Sequence, residues 1–172
     1  MPELRKAAVK WKQAPTDLVG PELKVGDLAP SDFTLTANDQ SSVAGSSLAC
    51  KARIVCAVPS LDTSVCDTEM KRFNQEAANL SGVKVFVVSM DLPYAQKRWC
   101  GATGSDRVEA LSDFKERSFG PAYGVFAPVK GLLARAVFVI GKDERLRHVE
   151  YVKEVTTEPD YAAALAAARS LG

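Results

Sequence analysis

The sequence predicts an α/β sandwich, a central mixed β-sheet flanked by helices, in a single domain spanning residues 1–172. Two short apolar runs rich in β-branched residues, at residues 53–58 and 83–90, are each followed by a segment with helical character. Strands and helices that alternate in this way form βαβ units with parallel strands. Two later apolar runs, at residues 132–140 and 145–152, are separated only by the turn GKDE and are expected to pair antiparallel.

Two helices are predicted between these strands. Apolar residues recur at spacings of three and four over residues 64–80, which indicates an amphipathic helix. Residues 91–101 predict a second, short helix, with Asp91 as its N-terminal cap and Gly101 just past its end.

The two ends of the chain complete the predicted fold. Apolar and polar residues alternate around a polar break within residues 1–20, which predicts an N-terminal β-hairpin extension. A short strand is expected at residues 33–36. Residues 156–172 predict a C-terminal helix that begins with a capping arrangement of Thr157 and Asp160.

Composition excludes few classes of protein, but it limits the partners. The formal net charge of +1 gives no electrostatic reason to expect nucleic acid or an anionic membrane as a partner. No signal-peptide pattern or apolar run of membrane-spanning length occurs, so a cytoplasmic protein is expected. Because thiols are kept reduced there, the four cysteines are expected to be core, catalytic or redox-active residues.

Cys66 lies in the first turn of the predicted helix over residues 64–80, just after Thr63 and Ser64, which are both good N-terminal caps. Unpaired backbone N–H groups and the helix dipole favour negative charge at this position, and therefore favour the nucleophilic thiolate. The alternative is that Cys66 is only a small buried residue of the apolar core, which is the commoner situation for a free cysteine.

Arg135 is the second unusual residue, because it shares one face of the predicted strand with Leu133, Val137 and Val139. A buried guanidinium needs an anion or good hydrogen-bond acceptors to offset its desolvation. One interpretation is that Arg135 lies near the strand end and extends to solvent. The other is that its anionic partner is the thiolate of Cys66.

These residues carry a family resemblance. The stretch VPSLDTSVC resembles the P-x-x-x-T-x-x-C motif of the peroxiredoxins, matched by Pro59, Thr63 and Cys66. The blocks SMDLPYAQKRWCG, KGLLARAVFVI and EVTTEPDYAAAL are similar to blocks of the bacterial thiol peroxidase subfamily, and the resemblance runs from about Val25 to the end of the chain. It implies a thioredoxin-like fold, a homodimer and thiol-dependent reduction of hydroperoxides.

The resemblance also implies a role for each site residue. Cys66 is the expected peroxidatic cysteine and Cys100 the expected resolving cysteine, and the two form an intrachain disulfide of the atypical two-cysteine type. Thioredoxin or a similar dithiol reductant is expected to reduce that disulfide. Thr63, Arg135 and Pro59 are expected to form the activating shell around Cys66. The resemblance implies no metal or organic cofactor.

The other two cysteines lie outside this scheme. Cys56 is predicted inside a buried strand, and Cys50 precedes it by six residues. An extended segment of that length spans roughly 20 Å, whereas a disulfide needs Cα atoms within about 7 Å. A loop that folds back at Cys50 leaves the pairing open.

Other functions remain open on the residues alone. A redox sensor or relay acting on a partner protein needs the same two thiols as a peroxidase. A cysteine hydrolase needs a base near Cys66, and the single histidine, His148, is expected at the surface of a charged strand. The lack of a C-x-x-C pair disfavours a zinc site and a dithiol oxidoreductase. A non-catalytic binding module does not need Cys66.

Overall fold

Eleven strands are present in the computed structural model, which describes residues 2–49 and 51–171. They are β1 (Leu4–Trp11), β2 (Ala14–Val19), β3 (Thr34–Ala37), β4 (Ser42–Ala44), β5 (Arg53–Ala57), β6 (Lys84–Ser89), β7 (Val108–Ser112), β8 (Phe126–Ala127), β9 (Leu132–Leu133), β10 (Ala136–Ile140) and β11 (Leu146–Tyr151). The helices in these ranges are α1 (Ser64–Ala77), α2 (Pro93–Thr103), α3 (Phe119–Tyr123) and α4 (Tyr161–Arg169), with a short 3-10 helix at Gly45–Leu48.

The central sheet has seven strands in the order β11-β10-β5-β6-β7-β3-β4. Strands β5, β6 and β7 are parallel, whereas β10 is antiparallel to both β5 and β11. The prediction of a mixed sheet with a parallel βαβ part and a late antiparallel pair is therefore confirmed. Among the described residues, no helix is long and apolar enough to cross a membrane.

The predicted N-terminal hairpin is present as β1 and β2, which pair antiparallel and continue through β8 and β9 into a second sheet of four strands. Its turn has positive φ at both central residues, Lys12 (50°) and Gln13 (69°), which is the twist that two-residue hairpin turns favour. The backbone N–H groups of Lys12 and Gln13 donate to the carboxylate of Glu154 at 2.9 and 3.0 Å. This contact fixes the hairpin tip beside the segment that follows β11.

Apolar cores lie on both faces of the central sheet, and alternate residues of β6 point into each. Val85 and Val87 join the core that includes Cys66, Met70 and Phe73 of α1. Phe86 and Val88 join the opposite core, which packs against α3. Helix α1 is thus held on the sheet by its apolar face, and this fixes where its first turn lies.

The helix ends differ from the prediction. Helix α1 ends at Ala77 instead of residue 80, because the N–H groups of Asn79 and Leu80 bond three residues back and tighten the chain into turns. Helix α2 starts with Pro93 at its first position, and Asp91 does not cap it. It ends at Thr103, and the next residue, Gly104, has a φ of 65°, the left-handed conformation that glycine adopts easily, so Gly101 lies inside the helix.

The C-terminal helix and the strand that contains Arg135 also differ. Asp160 caps α4 by accepting from Ala163 N–H, as predicted, but the hydroxyl of Thr157 donates to the Glu154 carbonyl and takes no part in the cap. The strand expected over residues 132–140 is interrupted between β9 and β10, and Leu133 packs in the core opposite to that of Val137.

Candidate active site

The start of α1 positions Cys66. Thr63 is the N-cap, with extended backbone angles, and its hydroxyl oxygen accepts a hydrogen bond from Cys66 N–H at 3.2 Å. The same hydroxyl donates to the Ser60 carbonyl at 3.2 Å, which fixes its orientation. Cys66 therefore lies in the first turn, where the helix dipole favours an anion, and its side chain is 0% exposed.

Asp91 holds the loop that leads into α1. Its carboxylate accepts from Ser60 Oγ at 2.7 Å, from Leu61 N–H at 2.8 Å and from Ser89 Oγ at 2.8 Å. The sequence predicted Asp91 as the cap of α2, but its carboxylate is used instead to attach the end of β6 to the loop after Pro59. Asp91 thus fixes the entry to the helix that carries Cys66.

The guanidinium of Arg135 is buried next to α1, with only 2% of the residue exposed. Its Nε donates to the Val155 carbonyl at 2.9 Å, and its Nη1 donates to Glu69 Oε2 at 2.5 Å. Burial works against the charge of Arg135, but Glu69 and then Cys66 outweigh it and raise the pKa of Arg135. Arg135 is thus a permanent cation that interacts with Cys66.

Glu69 is the site residue that the sequence analysis missed. Arg135 was expected to meet either solvent or the Cys66 thiolate, whereas its ion-pair partner is Glu69, one turn after Cys66 on α1. Burial raises the pKa of Glu69 to about 7, although the charge of Arg135 opposes that rise. Glu69 Oε1 has no hydrogen-bond partner in the described part of the chain. The sequence signal that could have identified Glu69 is a glutamate on the apolar face of a predicted helix.

A cavity of about 400 Å³ opens beside the first turn of α1, which carries Cys66, although the buried Cys66 is not among its lining residues. Three of the predicted site residues, Pro59, Thr63 and Arg135, line it. The rest of its wall comes from the hairpin tip, the loop and first turn at the start of α1, strand β9 and the segment after β11, and consists of Trp11, Lys12, Ser60, Ser64, Val65, Leu132, Val155 and Thr156. The structure therefore brings four of the five predicted site residues together, because Cys66 adjoins Thr63 and Arg135.

Cys100 lies apart from this group. It is in the last turn of α2, as predicted, and it is half-buried. Burial raises the pKa of the Cys100 thiol, and a hydrogen bond with Asn38 opposes that rise. Cys100 lines a different cavity, of about 610 Å³, that shares no lining residue with the cavity beside Cys66. In this conformation Cys100 lines one cavity, whereas Cys66 is fully buried.

Cys56 and His148 do not line the cavity at the start of α1. Cys56 is fully buried in β5, and burial raises its pKa well above the usual range, so it remains a thiol. Cys50 lies outside the described residues. His148 was expected at the surface, but it is half-buried on β11, and burial lowers its pKa. No hydrogen bond in the described part of the chain joins Cys66 to His148.

Comparison with known proteins agrees with this geometry. The sequence pattern of the Redoxin family matches residues 24–165. The thiol peroxidase of Halalkalibacterium halodurans is 50% identical, over 95% of this chain and 98% of the relative. The thiol peroxidase of Bacillus subtilis is 46% identical, over 96% of this chain and 98% of the relative.

Solved structures show the same relationship. The crystal structure of a peroxiredoxin-like protein from Aquifex aeolicus is 43% identical, with a TM-score of 0.86, and the match covers 97% of this chain and 99% of that one. The thiol peroxidase of Chromobacterium violaceum, at 19% identity and a TM-score of 0.82, has the same fold. The chain therefore belongs to the Redoxin family and is a peroxiredoxin of the thiol peroxidase group.

Proposed function

We propose that this thiol peroxidase reduces hydroperoxides with the Cys66 thiolate and resolves the oxidised form through an intrachain disulfide with Cys100. One observation carries the first part of the proposal. Cys66 lies in the first turn of a capped helix and interacts with the buried cation Arg135, beside an accessible cavity. A capped helix start and a fixed cation are the features that favour a thiolate over a thiol.

The first step is attack by the Cys66 thiolate on the terminal oxygen of the hydroperoxide. The S–O bond forms as the O–O bond breaks, and the alkoxide leaves with the electron pair and takes up a proton to become an alcohol, or water from hydrogen peroxide. Cys66 becomes a sulfenic acid. Arg135 stabilises both the thiolate and the negative charge that moves onto the leaving oxygen. Pro59 and Thr63 shape the wall along which the peroxide approaches.

The second step joins the two cysteines. The Cys100 sulfur attacks the sulfur of the Cys66 sulfenic acid, the S–O bond breaks, and hydroxide leaves with the Cys100 proton as water. Cys66 is fully buried, whereas Cys100 lines a cavity that shares no residue with the one at the start of α1. The ends of α1 and α2 that carry these cysteines therefore unwind locally during turnover, which exposes the disulfide to thioredoxin or a similar dithiol reductant.

Peptide mapping tests the resolving role of Cys100. After one equivalent of hydroperoxide and digestion without reductant, we expect a crosslinked peptide joining Cys66 and Cys100 from within one chain. Mass spectrometry of a mixture of isotopically light and heavy protein separates intrachain from interchain products. Recovery of Cys66 joined to Cys56, or of a Cys66 disulfide between two chains, contradicts the assignment.

The wall of the cavity beside Cys66 predicts a preference for organic hydroperoxides. Its lining includes the apolar side chains of Trp11, Val65, Leu132 and Val155, which an alkyl or aromatic substituent can cover. We expect kcat/KM for cumene hydroperoxide to exceed that for hydrogen peroxide by about tenfold, equivalent to about 1.4 kcal/mol of apolar burial. Trp11→Ala is expected to reduce the value for cumene hydroperoxide and to leave that for hydrogen peroxide almost unchanged. Equal values for both peroxides in the wild-type enzyme contradict this prediction.

Relatives that are 50% and 46% identical to this chain are named thiol peroxidases, which favours a peroxidase over a redox sensor that acts on a partner protein. The identity of the reductant, the homodimer and the cytoplasmic location remain predictions. Steady-state turnover with a thioredoxin system tests the first of these, and sedimentation of the reduced and oxidised protein tests the second.

A further inference from the structure

A single hydrogen bond joins the residues that flank the two redox cysteines. The indole Nε1 of Trp99 donates to Asp67 Oδ1 at 2.8 Å. Asp67 directly follows Cys66 in α1, and Trp99 directly precedes Cys100 in α2. The bond therefore connects the two helices at the positions where each carries its thiol.

This hydrogen bond is well placed to be strong. Trp99 is only 6% exposed and packs in the same core as Cys66. A hydrogen bond from Lys71 and a weaker contribution from Trp99 hold the pKa of Asp67 below its usual range, although burial opposes them, so its carboxylate is ionised at neutral pH. Hydrogen bonds to an ionised acceptor are stronger than those between neutral groups.

Disulfide formation must separate these two groups. Asp67 is in the first turn of α1 and Trp99 is in the second half of α2, so unwinding either helix around its cysteine moves one partner of the bond. The ion pair of Arg98 with Asp62, at 3.6 Å, is exposed on both sides and is expected to contribute little.

We propose that the Asp67–Trp99 hydrogen bond is a latch that holds α1 and α2 in the peroxide-reactive arrangement and controls how fast Cys66 and Cys100 join. The inference rests on the proposed disulfide between these two cysteines. While the latch is closed, the Cys66 sulfenate remains available to a second hydroperoxide, which oxidises it to the sulfinate as the O–O bond breaks and an alcohol leaves. The strength of the latch therefore sets the partition between the disulfide and irreversible oxidation.

Trp99→Phe tests the latch, because it removes the N–H donor and keeps an aromatic ring without changing any charge. We expect disulfide formation to become about fivefold faster, which corresponds to about 1 kcal/mol for the lost hydrogen bond. The rate of the first oxidation of Cys66 is expected to stay unchanged. The hydroperoxide concentration that converts half of the enzyme to the sulfinic acid is expected to rise by a similar factor. Rapid quenching with a sulfenic-acid trap, followed by mass spectrometry, measures all three species of Cys66.

Asp67→Ala removes the acceptor and is expected to give the same acceleration, and the double variant is expected to add nothing further, because both changes remove one interaction. Arg98→Gln is the matched control, because it breaks an exposed contact between the same segments, and its disulfide rate is expected to equal that of the wild type. Asp67→Asn keeps an acceptor oxygen and is expected to fall between wild type and Asp67→Ala, so the Asp67 variants carry the test if Trp99→Phe does not fold.

A merely structural role would lower the melting temperature of these variants and leave the ratio of disulfide to sulfinic acid at the wild-type value. That result, or fully additive effects in the double variant, overturns the latch. If the wild-type enzyme forms no Cys66–Cys100 disulfide after peroxide, the proposed function is wrong, and the latch is wrong with it. If the disulfide forms at one common rate in all variants, only the latch is wrong.

Discussion

Cys66→Ser is expected to abolish hydroperoxide reduction, with turnover falling at least about a thousandfold. The serine hydroxyl is not ionised near neutral pH, so neither the start of α1 nor Arg135 can make it a nucleophile toward peroxide. Serine occupies nearly the same volume in the core around Met70 and Phe73, so the fold is expected to persist. Consumption of hydroperoxide and circular dichroism of the same sample measure both properties.

Two other cysteines serve as controls for Cys66→Ser. Cys56→Ala, in the buried strand β5, is expected to retain turnover if the protein folds, because Cys56 is buried and does not line the cavity that the peroxide enters. Cys100→Ser is expected to keep the rapid first oxidation of Cys66 and to lose turnover with thioredoxin. If Cys66→Ser keeps full activity, Cys66 is not the catalytic thiol. If a folded Cys56→Ala loses activity, Cys56 takes part in the reaction and the assignment is wrong.

Local patterns in the sequence were sufficient for much of the fold. The β-branched run that became β5, the capped start of α1 and the alternating N-terminal hairpin are each determined mainly by neighbouring residues. Strands β4 and β7 were missed because their conformation depends on pairing with distant segments: the three-residue edge strand β4 pairs with β3, and β7 pairs mainly with β6. The break after Leu133 was also not predictable, because the alternation of apolar residues continues through it while the chain changes sheets.

In the candidate site, too, features set by neighbouring residues were predictable and features set by the tertiary fold were not. The positions of Thr63 and Cys66 depend on one helix start, and the sequence predicted them correctly. Asp91 was assigned to the nearest helix end, but its carboxylate is used by a loop 30 residues earlier in the chain. Glu69 was missed because only the tertiary fold brings Arg135 to α1. A buried ionisable side chain within an apolar helix face identifies a candidate, but its partner depends on packing between distant segments.

Glu69→Gln is expected to make the protein more stable than the wild type at pH 8, which is the opposite of what a stabilising ion pair predicts. Burial raises the pKa of Glu69 from 4.5 to about 7, with Arg135 opposing the rise and Glu150 and Glu158 adding to it. The ionised form is therefore less favourable in the folded protein than in the unfolded chain. Glutamine keeps an acceptor oxygen for Arg135, and the guanidinium still donates to the Val155 carbonyl.

The sign of the pH dependence follows from proton binding. Between pH 4.5 and about 7 the folded protein holds a proton on Glu69 that the unfolded chain has lost, so wild-type stability falls as the pH rises through this window. Above pH 7 both states are ionised at this residue and the effect is constant. The free energy of unfolding of Glu69→Gln minus that of the wild type is therefore expected to increase across the window by up to about 3 kcal/mol.

Urea denaturation of both proteins under reducing conditions, at intervals from pH 5 to pH 8, measures this difference, and the shared titrations of all other groups cancel. Glu76→Gln is a matched control on the same helix, because Glu76 is partly exposed in ion pairs with Arg72 and Arg169. Parallel stability curves for wild type and Glu69→Gln would mean that Arg135 keeps Glu69 fully ionised. A difference that rises with pH would mean that the Glu69–Arg135 ion pair lowers the stability of the protein. The function of the pair would then be to hold the guanidinium of Arg135 beside Cys66.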